Sequence, residues 1–269
     1  MPRRPTTSWS PFPPLTTEVQ LDEKWAYVGK KEENCDRSDP ADDHKGDYWD
    51  HVALDPEHRL VVAVVPGGRD VEGTAALVDE FRRRTGGRTM RLITSDAYPA
   101  YETAILDAYG ETVVPPRTGK PSRPKGPYKT PPADLVYATV EKVRKKGRVV
   151  EILTHIVFGT IAAVAAALKG SRVSRAINTS FLERQNATDR HRNARKSRKT
   201  YRFSKDWRFH EAATYFTPYS YNFCRPVRTL REPTGDGHYL KRTPAMAAGL
   251  ADHIWTMTEW ITLPVVLRG

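Results

Sequence analysis

Apolar residues recur along the chain in patterns that predict strands first and helices later. Residues Val19–Val28 alternate between apolar and polar positions, which predicts a strand. Tyr48–Leu54 and Leu60–Val65 are apolar runs on either side of a turn at Asp55–His58, as in a β-hairpin. The first part of the chain therefore predicts antiparallel strands.

Helical and strand patterns alternate in the next part. Apolar residues at helical spacing predict helices over Val71–Arg84 and Tyr98–Tyr109, with a short buried strand, Met90–Thr94, between them. A further strand is predicted at Thr112–Val114. This order of elements indicates an α/β fold with a mixed central sheet flanked by helices, and a ribonuclease H-like core is one of several such folds that fit.

The remaining patterns predict a basic hairpin and a helical C-terminal part. Tyr137–Val143 and Arg148–Val157 predict a hairpin with a basic tip. Helices are predicted over Thr160–Leu168 and Thr179–Arg195. The aromatic residues of Tyr201–Phe223 fit the core side of another helix, and base stacking is the alternative role for them.

These patterns divide the chain into three regions. Residues 1–18 are Pro-rich and without periodicity, so we expect a disordered lead-in. Residues 19–230 are expected to form the main domain, with a basic insertion at about 115–158. The insertion opens with seven prolines within Pro115–Pro132, which favours an extended loop. Residues 231–269 are expected to form a C-terminal tail.

Composition adds a strong positive charge to this outline. The chain has 269 residues, and 43 Lys and Arg against 32 Asp and Glu give a net charge of +11, which favours nucleic acid as partner. The longest apolar run, Ile161–Leu168, is far shorter than the roughly 20 residues that span a bilayer. Cys35 and Cys224 form no CxxC pair, which argues against a zinc ribbon or a disulfide framework. We therefore expect a cytoplasmic, nucleoid-associated protein.

The charge is unevenly distributed. Asp22–Glu57 holds 12 acidic and 5 basic residues, whereas Arg184–Arg208 holds 10 basic and 2 acidic residues. Arg117–Lys129 adds five basic residues and no acid. Such segments can be solvated surface, or they can pair carboxylates that bind metal cations with arginines that bind phosphates.

Three acids occupy positions that suit a metal site. Asp22 lies in the first strand, Asp96 directly follows the buried strand, and Glu183 lies in a later helix. Arg190 is two helical turns beyond Glu183, on the same face. Three carboxylates could hold two Mg²⁺ ions about 4 Å apart, one to activate a water or a 3′-hydroxyl and one to stabilise the leaving oxygen. Arg190 would then bind a backbone phosphate.

Each acid also has an alternative role that its local sequence supports equally well. Asp22 and Glu23 could lie at a strand edge or pair with Lys24. Asp96 could cap the helix that follows it. Glu183 could form a capping box with the serine three residues before it. The spacing of the acids alone does not choose between these roles.

The sequences flanking the acids resemble motifs of a known family. Asp22–Lys30 (DEKWAYVGK) resembles the first-aspartate motif of transposases of the insertion-sequence-one class. Thr94–Tyr101 (TSDAYPAY) resembles their second motif, and Ile177–Asn186 (INTSFLERQN) resembles their third. Arg190 lies where the wider DDE family places Lys or Arg, and Thr243–Gly249 is similar to a tail segment of related elements.

The resemblance covers about residues 21–260 and implies a ribonuclease H-like DDE catalytic domain with two Mg²⁺ or Mn²⁺ ions. It implies that Asp22, Asp96 and Glu183 are the catalytic metal ligands and that Arg190 contacts DNA phosphate. The implied reaction is cleavage by water at the element ends, followed by attack of the freed 3′-hydroxyls on target DNA. The implied partners are both DNAs and further copies of the chain.

Members of this family carry an N-terminal zinc-finger or helix-turn-helix segment that recognises the element ends. Here 21 residues precede Asp22, and they contain neither a Cys/His ligand set nor a helix pair. We expect the catalytic portion of a split element, with a separate N-terminal DNA-recognition chain, or a degenerate copy, or another end-recognition device. A metal-dependent nuclease and an inactive or repurposed DNA-binding remnant are the competing functions.

Residues around the third motif are the candidate DNA contacts. They are Arg184, Asn186, Arg190, Arg195, Lys196, Arg198 and Lys199. The basic stretches Lys142–Arg148 and Arg117–Lys129 are either further non-specific DNA contacts or solvated loops. Three histidines seven residues apart could bind zinc together with Cys35, but surface or strand histidines are the favoured interpretation: His44, His51 and His58.

Overall fold

The structure is a computed structural model and describes residues 16–115, 126–197 and 199–262. The strands are β1 (Glu18–Val28), β2 (Gly46–Asp55), β3 (Leu60–Gly67), β4 (Leu92–Asp96), β5 (Glu111–Val113), β6 (Tyr128–Thr130), β7 (Tyr137–Lys145), β8 (Arg148–Phe158), β9 (Glu232–Pro233) and β10 (Tyr239–Leu240). The helices are α1 (Val71–Arg84), α2 (Ala100–Tyr109), α3 (Ile161–Gly170), α4 (Ser180–Arg192), α5 (Trp207–Cys224), α6 (Pro244–Ala247) and α7 (Met257–Thr262).

A six-stranded mixed sheet organises the fold, in the order β3-β2-β1-β4-β7-β8. β1, β2 and β3 pair antiparallel, as the apolar runs predict. β4 pairs parallel with β1, and β7 pairs parallel with β4. A parallel neighbour requires a crossover, and α1 supplies it between β3 and β4. The expectation of a mixed sheet flanked by helices is confirmed.

Helices cover both faces of the sheet. Alternation along β1 and β2 turns Leu21 and Ala53 to one face, where they pack with Phe81 of α1 and Ile105 of α2. The neighbouring residues along each strand turn to the other face. There Val52 of β2 packs with side chains from α4 and α5. In a third apolar cluster, α3 packs against β4. The sheet is therefore the middle of three layers.

The basic hairpin differs from the predicted insertion. We expected β7 and β8 to form part of an appendage at 115–158, but β7 lies inside the sheet between β4 and β8. The reason is that the first half of β7, from Tyr137 to Val140, is apolar and buried. The Lys and Arg residues of the hairpin lie in its far half, and β8 is exposed along most of its length. Lys146 and Gly147 form the turn, with φ of 51° and 76°.

Other predicted regions fall partly within the described residues. Of the expected lead-in and basic loop, residues 1–15 and 116–125 lie outside them. The strand predicted near Thr112 pairs with β6 in a separate two-stranded sheet, not with the central one. Within the region predicted as a tail, Ala248 joins the core against α1 and α2. Among the described residues, no helix combines the length and apolar character needed to cross a membrane.

Candidate functional site

Two of the predicted acids, Asp22 and Asp96, lie close together where the pairing between β1 and β4 ends. Leu21 of β1 pairs with Ser95 of β4, so Asp22 and Asp96 are the next residues along each strand. β4 ends at Asp96, while β1 continues to Val28. Ending one strand beside a longer neighbour opens the sheet there, and both carboxyl groups line the resulting cleft.

Glu23 is a third carboxylate of this cluster, which sequence reasoning treated only as a strand-edge acid. Among the described residues, ligand oxygens of Asp22, Glu23 and Asp96 lie within 4.8 Å of one another. Arg69 Nε donates to Glu23 Oε1 at 2.6 Å, and the Tyr101 hydroxyl donates to Glu23 Oε2 at 3.1 Å. Adjacent strand residues normally face opposite sides of a sheet, so nothing in the sequence beyond its position next to Asp22 in β1 indicated that Glu23 joins the cluster.

The crowded carboxylates perturb one another. Burial, followed by the charges of Asp96 and Glu23, raises the pKa of Asp22 to about 7. Burial, followed by the charge of Glu23, raises the pKa of Asp96 to about 6. Hydrogen bonds fix both groups: Asn186 Nδ2 donates to Asp22 Oδ2 at 2.8 Å, and the Tyr98 backbone N–H donates to Asp96 Oδ1 at 3.3 Å. The cluster thus carries repulsion that a bound cation would relieve.

Two of the alternative roles do not hold: Asp96 as the cap of α2, and Lys24 as the partner of Asp22 or Glu23. Pro99 occupies the N-cap position of α2, so Asp96 is not its N-cap. Lys24 does not pair with its neighbouring acids. It forms ion pairs instead with Asp50, at 3.3 Å, and with Asp189.

Glu183 of α4 lines the same cleft, and its side chain is exposed. The capping-box alternative predicted a cap at Ser180, but the N-cap is Thr179, whose hydroxyl donates to Glu183 Oε1 at 2.6 Å. Lys142 of β7 forms an ion pair with the same oxygen. Among the described residues, Glu183 shares the cleft with the two aspartates but does not belong to the group within 4.8 Å.

The cleft has a volume of about 680 Å³ and a mixed charge. Its acidic floor is Asp22, Glu23 and Asp96, and its basic lining comes from Arg69, Lys142, Arg144 and Arg190. The predicted neighbours on one face of α4, Glu183 and Arg190, both line it. Carboxylates beside guanidinium and ammonium groups suit a ligand that combines divalent cations with phosphate oxygens.

The predicted DNA contacts differ in where the structure places them. Arg184, Arg195 and Lys199 have exposed side chains. Arg190 is half-buried and lines the cleft. Asn186 is buried, and its hydrogen bond to Asp22 makes it a partner of the acid cluster. Arg198 lies outside the described residues.

Lys196 is a correction. We predicted that it contacts DNA, but its side chain is fully buried and forms an ion pair with Asp50 of β2. It also donates to the Thr214 hydroxyl of α5. An ammonium inside a fold needs such partners, and Asp50 supplies the opposite charge. Lys196 therefore joins the segment after α4 to the sheet and does not contribute to the basic surface.

The histidines do not form a metal site with Cys35. Among the described residues, the potential metal-binding group is the acid cluster, and it contains no histidine or cysteine. His51 Nε2 lies 2.7 Å from the Gly68 carbonyl oxygen, and His58 Nδ1 lies 2.7 Å from Asp55 Oδ2. His51 lies in β2, which fits the favoured interpretation of surface or strand histidines, whereas His58 is buried in the turn between β2 and β3.

Comparison with known proteins gives no family assignment. No protein-family model matches the chain. No curated protein matches it either.

Proposed function

We propose that this chain is a DDE transposase that catalyses metal-dependent DNA cleavage and strand transfer on a ribonuclease H-like core. The observation that carries the proposal is the cleft that Asp22, Asp96 and Glu183 line together, from two adjacent strands and a neighbouring helix. The strand order β3-β2-β1-β4-β7, with the acids at its centre, supports the same assignment. The motif resemblance supplies the reaction class.

The residues present fit two Mg²⁺ or Mn²⁺ ions. The donors are hard carboxylate oxygens, which these cations prefer. The raised pKa values of Asp22 and Asp96 come from burial and mutual repulsion, and a bound divalent cation opposes both causes. Asp22, Asp96 and Glu183 would hold the ions, with Glu23 as a fourth carboxylate beside them. When bound, the ions would activate a water or a 3′-hydroxyl as the nucleophile and would stabilise the leaving oxygen.

The surrounding residues position the acids and the DNA. Asn186 fixes the orientation of the Asp22 carboxyl group, because its amide donates to Oδ2. Arg190, which lines the cleft beside the acids, binds a backbone phosphate. The exposed Arg184, Arg195 and Lys199 extend this basic surface away from the acids. Such contacts hold DNA without reading its sequence.

The proposal includes the partners that the resemblance implies. The substrates are element ends and target DNA, and the enzyme is cytoplasmic and nucleoid-associated. The chain works on them as a homo-oligomer.

One assay separates this function from its competitors. The full chain is incubated with supercoiled plasmid and a labelled duplex, with Mg²⁺ or Mn²⁺, beside Asp96→Asn. Metal-dependent joining of duplex to plasmid that Asp96→Asn abolishes is the expected result. Cleavage without joining would identify a nuclease. Salt-sensitive DNA binding without either reaction would identify an inactive remnant.

A further inference from the structure

Lys142 reaches from the central sheet to the acid on α4. It lies on β7, two residues beyond Val140, which pairs with Asp96. Its ammonium forms an ion pair with Glu183 Oε1. Neither partner is deeply buried, since 28% of the Lys142 side chain and 42% of the Glu183 side chain are exposed. The pair can therefore open without disturbing the core.

Two donors meet at this one carboxylate oxygen. Besides Lys142, the Thr179 hydroxyl donates to Glu183 Oε1 at 2.6 Å. A carboxylate oxygen has two lone pairs, so these donors occupy both. Among the described residues, Glu183 also lies outside the group of acids within 4.8 Å. Bringing Oε1 of Glu183 to a shared metal ion requires at least one of these donors to leave that oxygen.

Arg69 forms the equivalent contacts on the other side of the cleft, but it is more firmly held. It donates to Glu23 and lies 3.8 Å from Asp96 Oδ2, and its guanidinium stacks over the Tyr98 ring at 4.6 Å. Lys142 has no such ring contact among the described residues and carries a flexible stem. Lys142 is therefore better suited than Arg69 to exchange partners.

We propose that Lys142 is a positioning residue that competes with a divalent cation for Glu183. In the metal-free protein its ammonium holds the carboxylate. When a metal ion binds Glu183, the Lys142 ammonium loses this ion pair but stays in the cleft beside Arg144. There it can donate a hydrogen bond to a DNA phosphate. Metal loading and phosphate binding are thereby coupled through one side chain. This inference rests on the proposed two-ion function.

Direct measurement of Mn²⁺ binding to the full chain, without DNA, tests the competition. Lys142→Met removes the ammonium and keeps the stem, so Mn²⁺ affinity should rise about fivefold, the scale of one partly exposed charge interaction. Lys142→Arg, which keeps the charge, should resemble wild type. Lys145→Met is the matched control, because Lys145 is exposed on the same strand and does not line the cleft.

The outcomes separate the inference from the proposed function. Wild type that binds Mn²⁺, with Lys142→Met equal or weaker, overturns the competition and leaves the function standing. Wild type that binds no Mn²⁺ at millimolar concentration overturns both. A variant whose thermal unfolding matches wild type, with tighter Mn²⁺ binding, supports the competition, because a merely structural lysine would not oppose the metal.

Discussion

Asn186 of α4 donates a hydrogen bond from Nδ2 to Asp22 Oδ2 at 2.8 Å, across 164 residues of sequence. Asn186 is buried, and the contact joins the helix that carries Glu183 to the strand that carries Asp22. One amide therefore sets the orientation of a central carboxylate and the approach of the helix together. Asn186, which the sequence suggested as a DNA contact, is instead a hydrogen-bond partner of the acid cluster.

Removal of this amide should weaken metal binding. Partners that orient metal ligands typically contribute ten- to a hundredfold in affinity. We expect Asn186→Ala to lower Mn²⁺ affinity about tenfold, measured by titration without DNA. Asn193→Ala is the control, since Asn193 is also buried but contacts Thr217. Equal affinities for the two variants would contradict the orienting role.

Neutralising Asp22 should stabilise the metal-free fold at high pH. Its pKa is raised from 3.8 to about 7, so the folded state favours the protonated form. This contribution to stability is fully present below pH 3.8 and is lost as the pH rises through 7. At pH 8 the wild type holds a repelled, largely buried charge that Asp22→Asn lacks.

The expected gain for Asp22→Asn at pH 8 is about 2 kcal/mol in the free energy of unfolding, after discounting for residual solvent contact. The gain should shrink towards pH 4. Denaturant unfolding with a chelator present measures it, and Asp43→Asn, at an exposed position, should change little at either pH. No gain at pH 8 would show that the acid cluster is not strained. Added Mg²⁺ should stabilise wild type more than Asp22→Asn.

The sequence predicted those parts of the fold that depend on the apolar pattern within one segment, and it missed those that depend on pairing between distant segments. The apolar runs of β1–β4 carry their own period, so their order and the mixed sheet were predictable. The position of β7 was not predictable, because an apolar half and a basic half share this one strand. Its partner in the sheet is also distant, since Val140 of β7 pairs with Asp96 of β4, 44 residues earlier. Pairing between distant strands leaves no trace in local periodicity.

The site shows the same division. The flanking motifs pointed to Asp22, Asp96 and Glu183, and all three line one cleft. The roles of Lys196 and Glu23 depended on partners far along the chain: Asp50 lies 146 residues from Lys196, and Tyr101 lies 78 residues from Glu23. Charge alone cannot tell a buried lysine from a DNA-binding one.

The burial of Lys196 has a measurable consequence. Breaking a buried ion pair leaves an uncompensated charge and typically costs 3–5 kcal/mol. Asp50 keeps Lys24 at 3.3 Å, so we expect Lys196→Met to lose a smaller amount, about 2–3 kcal/mol. The exposed Lys199 is the matched control, and Lys199→Met should leave stability nearly unchanged. A destabilisation that is the same in both variants would refute the assignment of Lys196 to the interior.

Arg190 should act on DNA through charge and not through sequence. It lines the cleft on the face of α4 that carries Glu183, where a phosphate beside the acids would lie. Each neutralised phosphate contributes about 0.9 to the slope of log affinity against log salt concentration. Arg190→Ala should therefore weaken binding to a labelled duplex at low salt and reduce this slope by about 1.

Arg83→Ala is the comparison for that titration, because Arg83 is exposed in the last turn of α1, a helix on the opposite face of the sheet. Its slope and affinity should equal those of wild type. An Arg190→Ala protein with unchanged affinity at low salt would remove Arg190 from the DNA surface. A loss of affinity for one duplex sequence only, with the slope unchanged, would mean that Arg190 contacts a base edge, because phosphate contacts weaken binding to every sequence alike.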